Sequence, residues 1–228
     1  MIFPPAYHAK NKSLYDTAVY LSVGPVILAT YLCMHYLDTG LAVLVRNLLF
    51  ANRGWSRYAS AIPDVLLLLV VFITVTATVL YRSRVAGDRI DSSAVMYKML
   101  AIAAPLAFFA KTAFKYVFGR ITTREWLLVP QDSGFHWFDG GEQYVGFPSG
   151  HMLVITAIVA VLWRFQPRYR PAYLMMVVLL AVALVATNYH FVSDVIAGSY
   201  AGLVVEVCLF RKVALPLLQA APARQPTL

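Results

Sequence analysis

Four consecutive residues in the second half of the chain have the composition of an anion-binding helix start. They are Pro148, Ser149, Gly150 and His151, and a long apolar run follows them. Proline suits a first helical turn, so the amides of the next three residues point out of the helix with the positive end of its dipole. Such an end binds phosphate-like anions, and His151 adds a titratable group beside it. The alternative interpretation is an ordinary capped helix with an interfacial histidine.

A second polar segment contains a histidine and a carboxylate four residues apart, His190 and Asp194. On a helix these two side chains lie on one face within hydrogen-bonding reach. An aspartate that holds one ring nitrogen of His190 leaves the other nitrogen free as a nucleophile. Two alternatives stay open: Ser193 or Asp194 caps the next helix, or His190 and Asp194 join His151 in a metal site. The metal is the less favoured of these, because no further ligand follows at a suitable spacing.

Three basic residues precede these segments: Lys115 at the end of an apolar block, and Arg120 and Arg124 just beyond it. Cations beside a phosphate-binding helix start neutralise the phosphoryl oxygens during transfer. We therefore expect the three basic side chains to bind substrate together with Ser149 and Gly150. For Lys115 a second interpretation stays open, in which its side chain extends to the lipid headgroups and has no functional role.

The composition of the chain indicates the kind of scaffold that holds these residues. Of 228 residues, 60% are hydrophobic and only 13% are charged, which leaves too few polar residues to cover a water-soluble globule of this size. The formal net charge of +8 does not indicate a nucleic-acid partner, because the basic residues lie between apolar blocks and not in one cluster. We expect an all-α polytopic membrane protein.

Six blocks have the length and apolar character of membrane spans. A bilayer core requires about 20 mostly apolar residues in each helix. The six predicted transmembrane helices cover residues 17–37, 61–81, 94–118, 148–163, 171–188 and 194–213. After the first span, residues 41–50 are too few to cross and include Arg46, so they predict a short interfacial helix.

The predicted spans also give a domain organisation and an orientation. We expect residues 1–219 to form a single six-span domain and residues 220–228 a disordered tail. Most basic residues that flank the spans fall on the side of the amino terminus, so the positive-inside rule places both termini in the cytoplasm. Residues 119–147 then form an extracytoplasmic loop. The end of the third span, the start of the fourth and the junction of the last two share this outer face.

These motifs resemble the type 2 phosphatidic acid phosphatase superfamily, also called the lipid phosphate phosphatases. Its signature is a lysine followed by six residues and Arg-Pro, then Pro-Ser-Gly-His, then Ser-Arg with five residues to His and three more to Asp. Residues 148–151 match the second part, and His190 with Asp194 matches the end of the third, in the expected order. Lys115 matches the start of the first part, and the six-span layout covers nearly the whole chain.

The chain departs from this signature at two arginines. Thr122 stands where the first motif has arginine, Thr123 replaces its proline, and Leu184 stands where the third motif has arginine. Arg120 matches a Gly-Arg pair that often lies inside the first motif in bacterial members. We therefore expect Arg120 and Arg124 to supply the phosphate contacts that the missing arginines would make.

The resemblance implies a metal-independent lipid phosphatase without a cofactor, which acts at the outer face of a bacterial inner membrane. In the family's mechanism His190 attacks phosphorus to give a phosphohistidine and Asp194 orients it. His151 serves first as acid and then as base. The implied partners are a lipid phosphate or diphosphate and the bilayer, and the sequence contains no indication of an oligomeric state.

Two other functions are compatible with the same residues. The first is a phosphotransferase that passes the phosphoryl group to another lipid, with an acceptor site shaped by the loop 119–147. The loop residues considered for this role are Trp126, His136, Trp137 and Glu142. The second is a non-catalytic lipid-binding membrane protein, which the departures at Thr122 and Leu184 suggest.

Overall fold

The computed structural model of the protein describes residues 14–49, 62–87, 91–129, 133–139, 141 and 143–220, and these residues form helices and loops without a β-strand. The helices are α1 (Leu14–Leu21), α2 (Val23–Tyr36), α3 (Asp38–Leu49), α4 (Ile62–Ala86), α5 (Ser92–Phe118), α6 (Thr123–Leu128), α7 (Gly150–Phe165), α8 (Arg170–Ala186), α9 (Val192–Leu209) and α10 (Leu215–Ala220). A 3₁₀ turn, Pro167–Tyr169, leads into α8, and a π-helical segment, Phe210–Ala214, joins α9 to α10. The predicted all-α class is confirmed for this part of the chain.

Three helices of the described chain are long and apolar enough to cross a membrane. They are Val65–Ala86 within α4, the whole of α5, and the stretch Pro167–Ala186 that ends with α8. A fourth candidate is the pair α1 and α2, which are bent by 41° at a break and lie where the first span was expected. Helix α7 is apolar but only 16 residues long. The count of six spans therefore stays a prediction.

Helix α7 is the central element of the bundle. It packs against α5 and α9, while α4 covers α5 and α2 covers α9. Its buried side chains join those of α5 in one core, in which Met99, Ala103 and Leu153 are fully buried. Helix α8 lies at the periphery and exposes apolar side chains such as Leu174 and Leu179. Because α8 is apolar on all sides, its exposed surface is suited to contact with lipid.

Two glycines of α9 bring it close to α7. A Cβ atom on Gly198 would lie 2.4 Å from the carbonyl oxygen of Ser149, and one on Gly202 would lie 2.5 Å from that of Leu153. Both distances are far below van der Waals contact, so only glycine permits this approach of the two backbones. The start of α7 and the first half of α9 are thereby held together, and these are the two helices that follow the candidate motifs.

An ionic cluster that is buried except for Arg211 lies at the other end of α7. Arg164 binds Glu206 (Nε to Oε1, 2.6 Å) and Asp16 (Nη2 to Oδ1, 2.9 Å), and Arg211 also binds Asp16 (Nε to Oδ2, 3.1 Å). Since the 16 residues of α7 span about 24 Å, this cluster is remote from the helix start at Gly150. It ties α1, α7 and α9 together at the end opposite the candidate motifs.

The loops differ in detail from the sequence prediction. Most of the segment 41–50, for which we expected an interfacial helix, is helical as part of α3, which begins earlier, at Asp38, and ends at Leu49. Its position at a membrane interface stays a prediction. The predicted loop 119–147 contains a short helix, α6, which Thr122 caps by accepting a hydrogen bond from the Glu125 N–H. Of the predicted tail 220–228, Ala220 still belongs to α10, and residues 221–228 lie outside the described residues.

The close contact of α7 with α9 generates a stability prediction. We expect Gly202→Ala to destabilise the protein by about 1–3 kcal/mol, because the added Cβ forces the two backbones apart. The matched control is Gly24→Ala in α2, where an added Cβ has nothing within 4 Å. Thermal unfolding midpoints in detergent micelles measure both variants. Equal midpoints for the two variants would contradict the close-packing argument.

Candidate active site

Two histidines from the sequence motifs lie close together at one end of the bundle. The ring centroids of His151, in the first turn of α7, and of His190, between α8 and α9, are 6.4 Å apart. The two residues are buried, at 9% and 4% exposed. Tyr189 lies beside both, with its ring centroid 5.4 Å from that of His151 and 5.1 Å from that of His190. The start of α7 and the junction of α8 with α9 therefore meet, as the sequence predicts.

The backbone around His190 is fixed by the end of α8. Asn188 has a left-handed conformation with φ of 50°, which asparagine adopts more readily than most residues. Its N–H donates to the Val185 carbonyl, and the N–H groups of Tyr189 and His190 both donate to the Leu184 carbonyl, at 2.9 and 3.2 Å. The Leu184 side chain, at the position where the family has arginine, is buried in the apolar core. This turn directs His190 toward α7.

Asp194 faces His190, but not as an (i, i+4) pair on one helix. The helical case considered for this pair does not apply, because α9 begins at Val192 and His190 precedes it. Asp194 Oδ2 accepts a hydrogen bond from the Phe191 N–H (3.0 Å) and lies 3.6 Å from His190 Nδ1. Asp194 is therefore both a capping residue of α9 and the carboxylate next to the imidazole. The 3.6 Å separation exceeds hydrogen-bond length, and such contacts often tighten when a substrate binds.

Arg120 has a different environment from the phosphate contact that we expected. Its guanidinium donates to Asp194 Oδ1 (2.6 Å), Asp38 Oδ2 (2.9 Å), Ser193 Oγ (2.6 Å) and the Ser133 carbonyl (2.8 Å). The side chain is completely buried. Arg120 thus binds two of the protein's own carboxylates. Removal of one partner from such a buried ion pair typically costs about 3–5 kcal/mol.

Asp38 and Ser193 belong to this network, although neither was predicted from the sequence as a site residue. Asp38, at the start of α3, accepts hydrogen bonds from the Ser193 N–H (3.1 Å) and from the Ser193 hydroxyl. Burial raises the pKa of Asp38, while bonds from Ser193 and Arg120 act in the opposite direction. One feature of the sequence could have indicated Asp38 as a functional residue, since it is an acidic residue directly after an apolar span. Its partner Arg120 is 82 residues away along the chain, a pairing that one sequence does not reveal.

The start of α7 differs from the expected set of free amides. Helix α7 begins at Gly150, and Ser149 is its N-cap, with Oγ accepting from the Met152 N–H (3.4 Å). The Ser149 N–H donates to the Asp194 carbonyl (3.0 Å), so the expectation that this amide binds phosphate is wrong. Gly150 is packed against Lys111, since a Cβ on Gly150 would lie 2.7 Å from Lys111 Cδ. The amide of Gly150 has no intrahelical acceptor by its position in the first turn.

Lys115 and Arg124 remain beside the two histidines. Lys115 lies near the end of α5, close enough to Asp194 and His190 to act electrostatically on both. The guanidinium carbon of Arg124, in α6, is 4.9 Å from the centre of the Tyr189 ring. Neither Lys115 nor Arg124 is fully buried. Unlike Arg120, these two expected cations do not bind a carboxylate of the protein among the described residues.

The electrostatic environment of His190 favours its neutral form. Burial lowers the pKa of His190, and the nearby Lys115 ammonium lowers it further. Asp194 and the backbone of Gly146 act in the opposite direction but do not cancel the effect of burial. A neutral imidazole is the form that can attack an electrophile. The neutral imidazole is therefore the main form of His190 at neutral pH.

The loop residues considered for an acceptor site have different surroundings. Trp126 in α6 has its ring centroid 6.1 Å from that of Phe191, His136 stacks on Tyr144 at 4.3 Å, and Trp137 is 57% exposed. Glu142 lies outside the described residues. Within the described ranges, no three His, Cys, Asp or Glu side chains are grouped as metal ligands would be.

Comparisons with known proteins agree with the resemblance drawn from the motifs. The family model of the PAP2 superfamily matches residues 94–215. Two curated relatives, each called lipid A 1-phosphatase, come from Rhizobium johnstonii and Rhizobium etli, and both are 38% identical to this chain over 61 residues. That stretch is 27% of this chain and 25% and 26% of the relatives, so the chain spans about a quarter of their length. No solved structure matches it. Because the family model covers more than half of the sequence, the chain belongs to the PAP2 superfamily.

Proposed function

We propose that the protein is a lipid phosphate phosphatase that forms a phosphohistidine on His190. The observation that carries this proposal is the pairing of two buried histidines 6.4 Å apart, one of them next to a carboxylate. In the proposed reaction the phosphoryl group lies between these two rings, one of which acts as nucleophile and the other as acid. Membership in the PAP2 superfamily and the similarity to two lipid A 1-phosphatases support the same chemistry.

In the first step His190 Nε2 attacks phosphorus, since Nδ1 faces Asp194. An N–P bond forms while the P–O bond to the lipid breaks, and the electron pair leaves with the lipid oxygen. His151 donates a proton to that oxygen as general acid. Asp194 stabilises the positive charge that develops on the His190 ring.

The second step returns the enzyme to its starting state. His151 now accepts a proton from water, and the resulting hydroxide attacks the phosphorus of the phosphohistidine. The N–P bond breaks, its electron pair returns to His190, and inorganic phosphate is released. The same intermediate could pass its phosphoryl group to a lipid hydroxyl, which the activity assay below distinguishes from hydrolysis.

Phosphoryl oxygens need positive charge and hydrogen-bond donors during both steps. We assign this role to Lys115, Arg124, the Gly150 amide and the Ser149 hydroxyl. We assign Arg120 a role in holding Asp194, because its guanidinium is already bonded to protein acceptors. The chain thus replaces the two missing family arginines with one arginine from α6.

For the membrane arrangement we propose the six-span topology, in which α7 and α9 cross together with the longer helices. Helix α7 is shorter than a bilayer core is thick, but it is enclosed by α5 and α9, and non-helical backbone that is buried in protein can complete the crossing. The amino and carboxyl termini then lie in the cytoplasm, and the site faces the outer side of an inner membrane. The substrate class is a lipid phosphate monoester or diphosphate of that leaflet.

The phosphatase proposal predicts that His190→Ala abolishes phosphate release. We expect a loss of at least about 10³-fold for His190→Ala and of about 10²–10⁴-fold for His151→Ala. The matched control is His35→Ala in α2, an exposed histidine, which should keep wild-type activity. The assay uses purified protein in detergent with EDTA and ³²P-labelled phosphatidic acid, phosphatidylglycerophosphate, undecaprenyl diphosphate and lipid A.

The products of this assay separate the alternatives. Free phosphate supports hydrolysis, and label in a second lipid indicates a phosphotransferase. Unchanged phosphate release after His190→Ala would refute the phosphohistidine. The absence of any turnover together with vanadate binding would indicate a non-catalytic lipid-binding protein.

The environment of His190 also predicts a pH dependence. Because burial lowers the pKa of His190, the neutral nucleophile persists to a lower pH than an ordinary imidazole of pKa about 6.5. The acid limb of the kcat/KM profile should therefore have its midpoint below this value. The ionisation of the lipid phosphate itself is measured by ³¹P NMR in the same micelles and corrected for. A corrected midpoint above the ordinary imidazole value would contradict the prediction.

A further inference from the structure

An acidic residue outside the region of the family match is part of the buried network at the site. The PAP2 match begins at residue 94, whereas Asp38 lies in α3, between α2 and α4. Asp38 is 1% exposed. It lines a small cavity of about 10 Å³ that His190 and Phe191 also line. The amino-terminal part of the chain thus reaches the immediate surroundings of the proposed nucleophile.

The contacts of Asp38 connect it to Asp194 in two ways. Asp38 Oδ2 accepts from Arg120 Nη2 (2.9 Å), while Arg120 Nη1 donates to Asp194 Oδ1 (2.6 Å). Asp38 Oδ1 accepts from the Ser193 N–H (3.1 Å), and this N–H belongs to the first turn of α9 beside Asp194. Asp38 therefore fixes two groups: the Arg120 guanidinium, which binds the Asp194 carboxylate, and the backbone of the first turn of α9, which carries Asp194.

The charges along this network alternate in sign. Asp38 is negative, Arg120 positive and Asp194 negative, and all three side chains are completely buried. Without the charge of Asp38, the positive charge of Arg120 is balanced by Asp194 alone. The buried network then carries no net negative charge, so it stabilises a positive His190 ring less, both when the ring is protonated and when it attacks phosphorus.

Other charged and titratable groups also face His190, and they stay unchanged in variants of Asp38. They are Lys115 from α5, His151 from α7, Asp194 from α9 and Tyr189 from the turn that carries His190, with Arg124 of α6 next to Tyr189. Any change that follows substitution of Asp38 is therefore attributable to the network through Arg120 and Ser193.

We propose that Asp38 is a positioning residue of the catalytic centre, which sets the alignment and charge of Asp194 through Arg120 and Ser193. This inference rests on the proposed function, since it assigns a role within the His190 reaction. It makes α3 a required part of the active site. It also gives Arg120 a purpose other than phosphate binding.

The test compares Asp38→Asn with Asp38→Glu and a matched control. Asp38→Asn keeps the shape and removes the charge, while Asp38→Glu keeps the charge. The control is Asp16→Asn, which also removes a buried carboxylate bound to an arginine but at the opposite end of α7. Each protein is assayed on phosphatidic acid and lipid A in detergent micelles, with thermal unfolding as a measure of folding.

We expect Asp38→Asn to lower kcat by about 10–100-fold and to change KM by less than about threefold, because the substrate contacts remain. The acid limb of kcat/KM should move to lower pH, since loss of a negative charge disfavours protonated His190. Asp38→Glu should return the acid limb to its wild-type position, and Asp16→Asn should leave both kcat and the limb unchanged. A merely structural role would lower the amount of folded enzyme without moving the limb.

A second readout does not require turnover. NMR titration of ¹⁵N-histidine-labelled protein follows His190 directly, with His190→Ala to assign its signal. A lower pKa of His190 in Asp38→Asn than in wild type supports the inference even if none of these lipids is hydrolysed, in which case only the proposed function fails. If the pKa of His190 in Asp38→Asn equals that in wild type, the inference is overturned. It is also overturned if Asp38→Asn keeps the wild-type kcat and the wild-type acid limb. The phosphatase proposal is not affected by either result, because His190→Ala tests it separately.

Discussion

The buried guanidinium of Arg120 is the constraint on which this end of the bundle depends. A fully buried cation between two fully buried carboxylates is tolerated only because its N–H groups are matched by acceptors from α3, α9 and the loop after α6. These bonds join segments that are distant in sequence, and they fix Asp194 next to His190. The proposed nucleophile is therefore aligned by a network of protein charges that need not contact the substrate.

The helix packing serves the same purpose at longer range. Gly198 and Gly202 let α9 approach α7 at backbone distance, and the Ser149 N–H donates to the Asp194 carbonyl where the two helices begin. This bond uses an amide that an isolated helix start would offer to an anion. The proposed anion site is consequently made of fewer backbone donors and more side-chain cations than the tetrapeptide at residues 148–151 suggests.

Sequence reasoning recovered the parts of this architecture that local patterns encode. Apolar blocks predicted the helices, and the spacing of His190 and Asp194 indicated their proximity, because both depend on neighbouring residues. The capping of α9 by Asp194 is also local, and it was one of the alternatives that the sequence left open. Two features were not predictable in this way. Asp38 pairs with a residue 82 positions away, and Arg120 turns inward to protein carboxylates. Both depend on long-range packing, for which a single sequence carries no periodic signal.

The dual use of Asp194 has a consequence for how the centre withstands thermal motion. One carboxylate oxygen holds the first turn of α9 at the Phe191 N–H and also faces the His190 ring. Fraying of that turn and loss of imidazole orientation are thus the same event. The alignment of His190 therefore depends on the stability of the first turn of α9. Conformers with a misaligned His190 ring are disfavoured by the same free energy that stabilises this turn.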